Sequence, residues 1–268
     1  MLTVSDTAFA IAAVRAEEAT RPPEERLFED PYAATFLTAG AHAEAGTQRF
    51  LELPFFRDGI RIRTRFIDDV VRDSLAEGID QLVLMGAGFD ARALRMPEIA
   101  AHHARVYEID LADQLDTKRR LLAAAGIALP EWIAYVPSDF IAPDFEQALA
   151  RSLEAHGVRR DRGSVFVWEG VTTYIGVAAV DRSLRFMAEI GGPGSSVVFD
   201  FGAHFFGQDS VAAHAARAGF ASCVDHGADD LWRQYLRGEP HPAAWVFRMA
   251  VARLSPGANA LRAQLRSL

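Results

Sequence analysis

Four short segments carry residue types able to grip a ligand. In LVLMGAGFDARALR (82–95), Gly86, Ala87 and Gly88 follow an apolar run and precede a helical pattern. Glycine there lets the backbone turn tightly and approach a ligand with no Cβ in the way, although any tight strand-to-helix turn also uses it. Phe89 and Asp90 stand where a dinucleotide fingerprint would continue toward its third glycine, which argues against a pyrophosphate on the helix start. RVYEID (105–110) brings Glu108 and Asp110 to a strand end, 22 and 24 residues beyond Gly86. An acid at that place can accept from both hydroxyls of an adenosine ribose; the alternative is a solvated strand end. In VPSDF, Asp139 could accept from an adenine amino group and Phe140 pack on the ring, or the two are a turn aspartate and a core phenylalanine. In SVFVWEGVTTYI, Glu169 leaves a strongly apolar run, where a carboxylate is costly unless it is paired or faces a cleft.

These residues need elements to hold them at one place. From residue 80, apolar β-rich runs (81–86, 105–110, 132–139, 164–170, 195–201, 220–227, 244–251) alternate with helical patterns near 90–100, 112–126, 144–156, 177–190, 208–218 and 228–237. Such alternation predicts a mostly parallel sheet covered on both faces. Pro143, Asp144 as N-cap and Gly157 as a stop punctuate one helix. Residues 1 to 78 read differently, as helices over 8–20, 29–39, 42–52 and 58–76 joined by polar or Pro-containing turns. This predicts an N-terminal helical cap (1–78) lying across the carboxyl ends of the strands of an α/β core (79–268), where open α/β sheets bind ligands.

Composition narrows the function classes. The 268 residues carry 36 acidic and 28 basic side chains, a net charge of −8, which speaks against a nucleic-acid-binding surface. Lys118 is the only lysine, a bias that GC-rich coding would produce. Cys223 is the only cysteine, which excludes an internal disulfide and a multi-cysteine metal site and fits a reducing, cytoplasmic setting. No metal site is read, and no apolar run reaches the 18 residues of a membrane span. The first 20 residues read as an amphipathic helix, since Asp6 precedes the apolar stretch and a secretory signal needs a positive start.

Taken in order, the segments TAFAIAAVRAEE, LFEDPYAATFL, RTRFIDDVV, LVLMGAGFDARALR, YEIDLAD, SDF and VWEGVTTYI resemble the leucine carboxyl methyltransferase superfamily over residues 7–176. The likeness is greatest to its bacterial branch, which includes polyketide O-methyltransferases; DHGADDLWRQYL resembles the family's penultimate strand and following helix. The resemblance implies a class I methyltransferase fold, a Rossmann-like seven-stranded sheet, with S-adenosyl-L-methionine as cofactor and a small-molecule methyl acceptor. It implies roles by position: Gly86 against the methionine part, Arg63 on the methionine carboxylate with Arg65 as the alternative, and Arg15 joining that clamp. Asp110 becomes the ribose acid, Asp139 and Phe140 the adenine pair, and Glu169 the partner of the methionine amino group. Glu108 either assists Asp110 or bonds the backbone, while Asp90, Arg92 and Arg95 brace the glycine turn.

A carboxylate acceptor is already ionised at neutral pH and needs no base, whereas a hydroxyl gains from one. His204, past the fifth apolar strand, is the first candidate base, or else a loop histidine; Tyr174 either lines the acceptor pocket or belongs to the core. His42, Phe55 and Phe56 of the cap either touch substrate or pack. A protein carboxyl methyltransferase and a silent cofactor-binding regulator are the alternatives to a small-molecule O-methyltransferase.

Overall fold

The computed structural model describes residues 4–37 and 45–256. Seven strands form one sheet: β1 (Gln81–Met85), β2 (Arg105–Asp110), β3 (Ile133–Pro137), β4 (Val165–Trp168), β5 (Ser196–Gly202), β6 (Ser222–Gly227) and β7 (Phe247–Arg253). Their order is β3-β2-β1-β4-β5-β7-β6, parallel except for β7, which runs antiparallel to both its neighbours. The chain leaves β1 toward β2 on one side and later places β4 on the other. The strand order therefore reverses between β1 and β4, and a crevice opens at their carboxyl ends.

The helices are α1 (Val4–Ala19), α2 (Ala45–Leu51), α3 (Phe56–Ala76), α4 (Arg92–Arg95), α5 (Pro97–Ala101), α6 (Ala112–Ala124), α7 (Phe145–Ala155), α8 (Thr172–Ile190), α9 (Val211–Ala218) and α10 (Ala228–Tyr235). Strand alternation splits the core into two layers. Val83, Met85, Phe166 and Trp168 point to α7, α8 and α9, while Leu82, Leu84, Val165 and Val167 point to α3, α5 and α10. The stripe Ile62, Phe66, Ile67, Val70, Val71 and Leu75 makes α3 part of this second layer. α1 lies across the strand ends, and Phe9 and Phe36 pack on Phe89 of the glycine turn at 5.0 and 4.8 Å.

The expected strands are all present, within three residues at each end. The helix expected over 29–39 is instead a 3-10 turn at 33–37, entered through Asp30, whose carboxylate accepts from the amides of Tyr32 and Ala33. The one expected over 90–100 is broken at Met96, because Pro97 forces its predecessor into extended backbone. Asp144 sits at an N-cap position without a side-chain cap bond, whereas Ser210 does cap α9. α8 begins with a detached turn, residues 172–175. Gly176 (φ 74°, ψ 163°) interrupts the helix in a conformation essentially closed to other residues, and the run from 177 continues behind it.

Candidate active site

The glycine turn is built by its strand. The amides of Gly86 and Ala87 both donate to Ile109 O at 2.8 Å, so the chain folds over the end of β2 as soon as β1 ends. Gly86 has φ 74°, and a Cβ placed there would lie 2.5 Å from Val171 Cγ2. Only glycine fits. Gly88 N donates to Asp110 Oδ2 at 2.7 Å, and Leu111 N donates to Oδ1 at 2.7 Å. Burial pushes the Asp110 carboxyl up from its usual range, against these two amides.

Beside the turn lies a cavity of about 330 Å³, walled by the ends of β1, β2, β3 and β4, by α1 and by the first turn of α8. Of the residues singled out in the sequence, it brings together Arg15, Gly86, Ala87, Gly88, Asp90, Asp110, Asp139, Phe140, Glu169 and Tyr174. Asp139 is exposed and fixes its own turn by accepting from Ile141 N at 3.0 Å; Phe140 is buried against Phe145.

Glu169 is the electrostatic centre. Its Oε1 accepts from Arg15 Nη2 at 2.7 Å and Arg63 Nε at 2.9 Å, and its Oε2 accepts from Arg92 Nη1 at 2.7 Å. Burial alone would raise its pKa, but the three guanidiniums hold it well below the usual carboxylate range. The network extends further, through Arg63 Nη1 to Asp200 Oδ2 at 3.0 Å and through Arg92 Nε to Asp68 Oδ1 at 2.7 Å. Arg92 also donates to Asp90, and Arg95 joins Asp68 at 2.7 Å. Arg92 therefore holds the turn at Asp90 and reaches Glu169 as well, whereas the partners of Arg95 are Asp68 on α3 and Asp30.

Several assignments change. Arg63 is 3% exposed and stands behind Gly170, outside the cavity wall; Arg15, the secondary member of the expected clamp, is on it. Arg65 points away to Asp69 at 2.9 Å and Leu27 O, which removes it as the alternative. The spacing RIRTR puts alternate arginines on different sides of α3, and only packing against β4 and β5 selects one. Glu108 neither supports Asp110 nor bonds the backbone: it pairs with Lys118 Nζ at 2.6 Å. His204 is exposed in the loop after β5, edge-on to Trp245 at 5.6 Å, and does not reach the cavity. Phe55 packs with Trp232, His241 and Phe247, and Phe56 with Phe50, all away from it. His42 lies outside the described residues.

Sequence reasoning missed three contributors. Asp200 sits in the apolar run SSVVFDF, and the cost of a carboxylate there, the argument applied to Glu169, would have found it. Thr7 and Ile11 precede Arg15 at four-residue spacing, a single helical face that lines the cavity. Thr7 Oγ1 and the Tyr174 hydroxyl are hydrogen-bonded, joining α1 to the detached turn of α8. Cys223 is half-buried on β6, and burial beside Asp225 pushes its thiol up to about 11, which keeps it protonated and unreactive.

A glycine turn and an acidic strand end at a switch point, under a doubly covered sheet with one antiparallel strand, define a Rossmann-like methyltransferase fold. A crystal structure of a provisionally named methyltransferase from Thermobifida fusca has this fold, with TM-score 0.54 and 13% identity over 94% of this chain and 95% of that one. Residues 8–188 match the leucine carboxyl methyltransferase family, and the chain belongs to that family. A provisionally named S-adenosyl-L-methionine-dependent methyltransferase of Frankia alni is 33% identical over 226 residues, 82% of this chain and 77% of its own length. One from Streptomyces avermitilis is 34% identical over 226 residues, 78% and 75% of the two chains. The protein is an S-adenosyl-L-methionine-dependent methyltransferase. None of its described helices is long and apolar enough to cross a membrane.

Proposed function

We propose that the chain moves a methyl group to an oxygen, hydroxyl or carboxylate, of a small apolar molecule of the polyketide kind. The observation that carries this reading is the wall built by α1 and the turn 171–175. Ala8, Ile11, Val171 and Ile175 are apolar there, and besides Arg15 at its cofactor end the polar groups are the hydroxyls of Thr7 and Tyr174. An apolar wall with few convergent polar groups is what recognises a small organic ligand.

The cofactor end fits its ligand on two observations. Gly86 lacks the Cβ that would fill the turn, and Arg63 Nη2 is buried without a hydrogen-bond partner. In this reading Arg15 takes the methionine carboxylate, with the spare Arg63 donor behind it, since guanidinium pairs carboxylate as a bidentate fork. Glu169, kept ionised, faces the amino group, Asp110 accepts from the ribose, and Asp139 with Phe140 borders the adenine. S-adenosyl-L-methionine supplies, when bound, a methyl group already activated on a sulfonium. The protein's own part is alignment and exclusion of water: Tyr174 and Thr7 orient the acceptor oxygen, and the apolar wall keeps the site dry.

The test is a screen with radiolabelled S-adenosyl-L-methionine against 2-naphthol, 1-naphthoic acid and a C-terminal leucine peptide. Label extracted with either naphthalene compound supports the reading. Alkali then separates an ester, which releases methanol, from a stable ether. Label on the peptide alone would overturn the small-molecule acceptor.

A further inference from the structure

We propose that Lys118 is a positioning residue for cofactor binding, its ammonium clamping the Asp90 end of the glycine turn to β2. It is 1% exposed on α6, and its Nζ donates to the Asp90 backbone oxygen and, at 2.6 Å, to Glu108 Oε2. Glu108 stands on β2 two residues before Asp110 and in register with Leu84, two residues before Gly86. Asp90 is the far end of the same turn: its carboxylate accepts from Arg92 N at 2.7 Å and from the guanidinium that also holds Glu169. One ammonium thus ties together the turn, the strand that ends in Asp110 and, through Asp90 and Arg92, Glu169.

Two features argue that the pair does more than stabilise. A buried ion pair is typically replaceable by apolar side chains with little loss of stability, so stability alone does not require it. In a chain whose other basic residues are all arginine, this one position keeps lysine. A compact ammonium serves a backbone oxygen and a carboxylate from one atom, whereas a guanidinium is larger and holds its donors in a fixed planar fork.

The test compares wild type, Lys118→Arg and the doubly apolar Lys118→Met/Glu108→Leu for melting temperature and for calorimetric affinity toward S-adenosylhomocysteine. The double variant is expected to stay folded with a melting temperature close to wild type. It should bind roughly ten- to a hundredfold more weakly, the scale of loss known for outer-shell partners of metal ligands. Lys118→Arg should not recover that affinity. Wild-type affinity in the double variant, or in Lys118→Arg, would overturn the proposal. Failure of the wild type itself to bind would instead count against the cofactor assignment. A second measurement needs no variant: protein labelled with ¹³C-lysine gives one side-chain signal set, from Lys118, expected to shift on adding S-adenosylhomocysteine. An unmoved signal in the saturated protein is evidence against the coupling.

Discussion

Glu169 carries three arginines because its position allows nothing less. A carboxylate leaving a fully buried strand must be compensated, and Arg15, Arg63 and Arg92 converge on it from α1, α3 and α4. Removing it should therefore be expensive: Glu169→Gln is expected to cost about 3–5 kcal/mol, as when one partner of a buried pair is lost. The sign with pH follows from its lowered folded-state value. Its contribution is present above the ordinary range of an unfolded glutamate and is lost as pH falls through the folded value. Urea unfolding of wild type and Glu169→Gln should thus differ at neutral pH and converge in strong acid; a constant gap would contradict this assignment of charge. At Gly86 the argument is steric. Gly86→Ala meets Val171 Cγ2 and a left-handed backbone together, so it should abolish calorimetric binding of S-adenosylhomocysteine. Adding Val171→Ala should restore only part, since it relieves the clash and leaves the backbone strain.

At the scale of elements, the detached turn of α8 is the piece that sequence periodicity could not describe. The pattern from 177 onward reads as helix and is helix, but residues 172–175 swing away at Gly176 and carry Tyr174 and Ile175 to the cavity. Thr172 pins the turn by donating to Asp200 O at 2.6 Å, and Tyr174 pins it to Thr7. Gly176→Ala is expected to destabilise by about 1–3 kcal/mol, the strain of a non-glycine residue in that region. It should lower turnover of an acceptor found in the screen more than it lowers cofactor affinity, because the displaced side chains stand on the acceptor wall. Equal losses in both would place the turn at the cofactor instead. Local pattern misses such a turn because helix periodicity reports which face is buried, and a single turn has too few residues to show a face.

At the scale of the whole molecule, α1 meets the walls of the cavity through Phe9 on Phe89, Arg15 on Glu169 and Thr7 on Tyr174. Phe89, Glu169 and Tyr174 line the cavity, as do Arg15 and Thr7 of the helix, so a ligand there bridges α1 and the sheet. S-adenosylhomocysteine is expected to slow amide exchange in α1 as well as in the glycine turn, and at a hundredfold excess over Kd to add about 2.7 kcal/mol of stability. Exchange unchanged in α1 would mean that the helix does not sense the site.

Much was legible before folding. The alternation of apolar strands with helices sets the sheet, because burial on both faces leaves few other arrangements. Gly86, Asp110, Asp139 and Glu169 were readable as strand-end residues because each is a type that a buried or turning backbone tolerates only for a reason. What the tertiary structure alone decided is pairing. Arg63 rather than Arg65 faces inward, Arg15 reaches the cavity ahead of both, and Glu108 belongs to Lys118. Asp200 completes the cluster, and His204 stays outside it. Those outcomes depend on distances between elements far apart in the chain. A sequence records the price of burying a charge at each position, and only the packed structure shows which partner answers it.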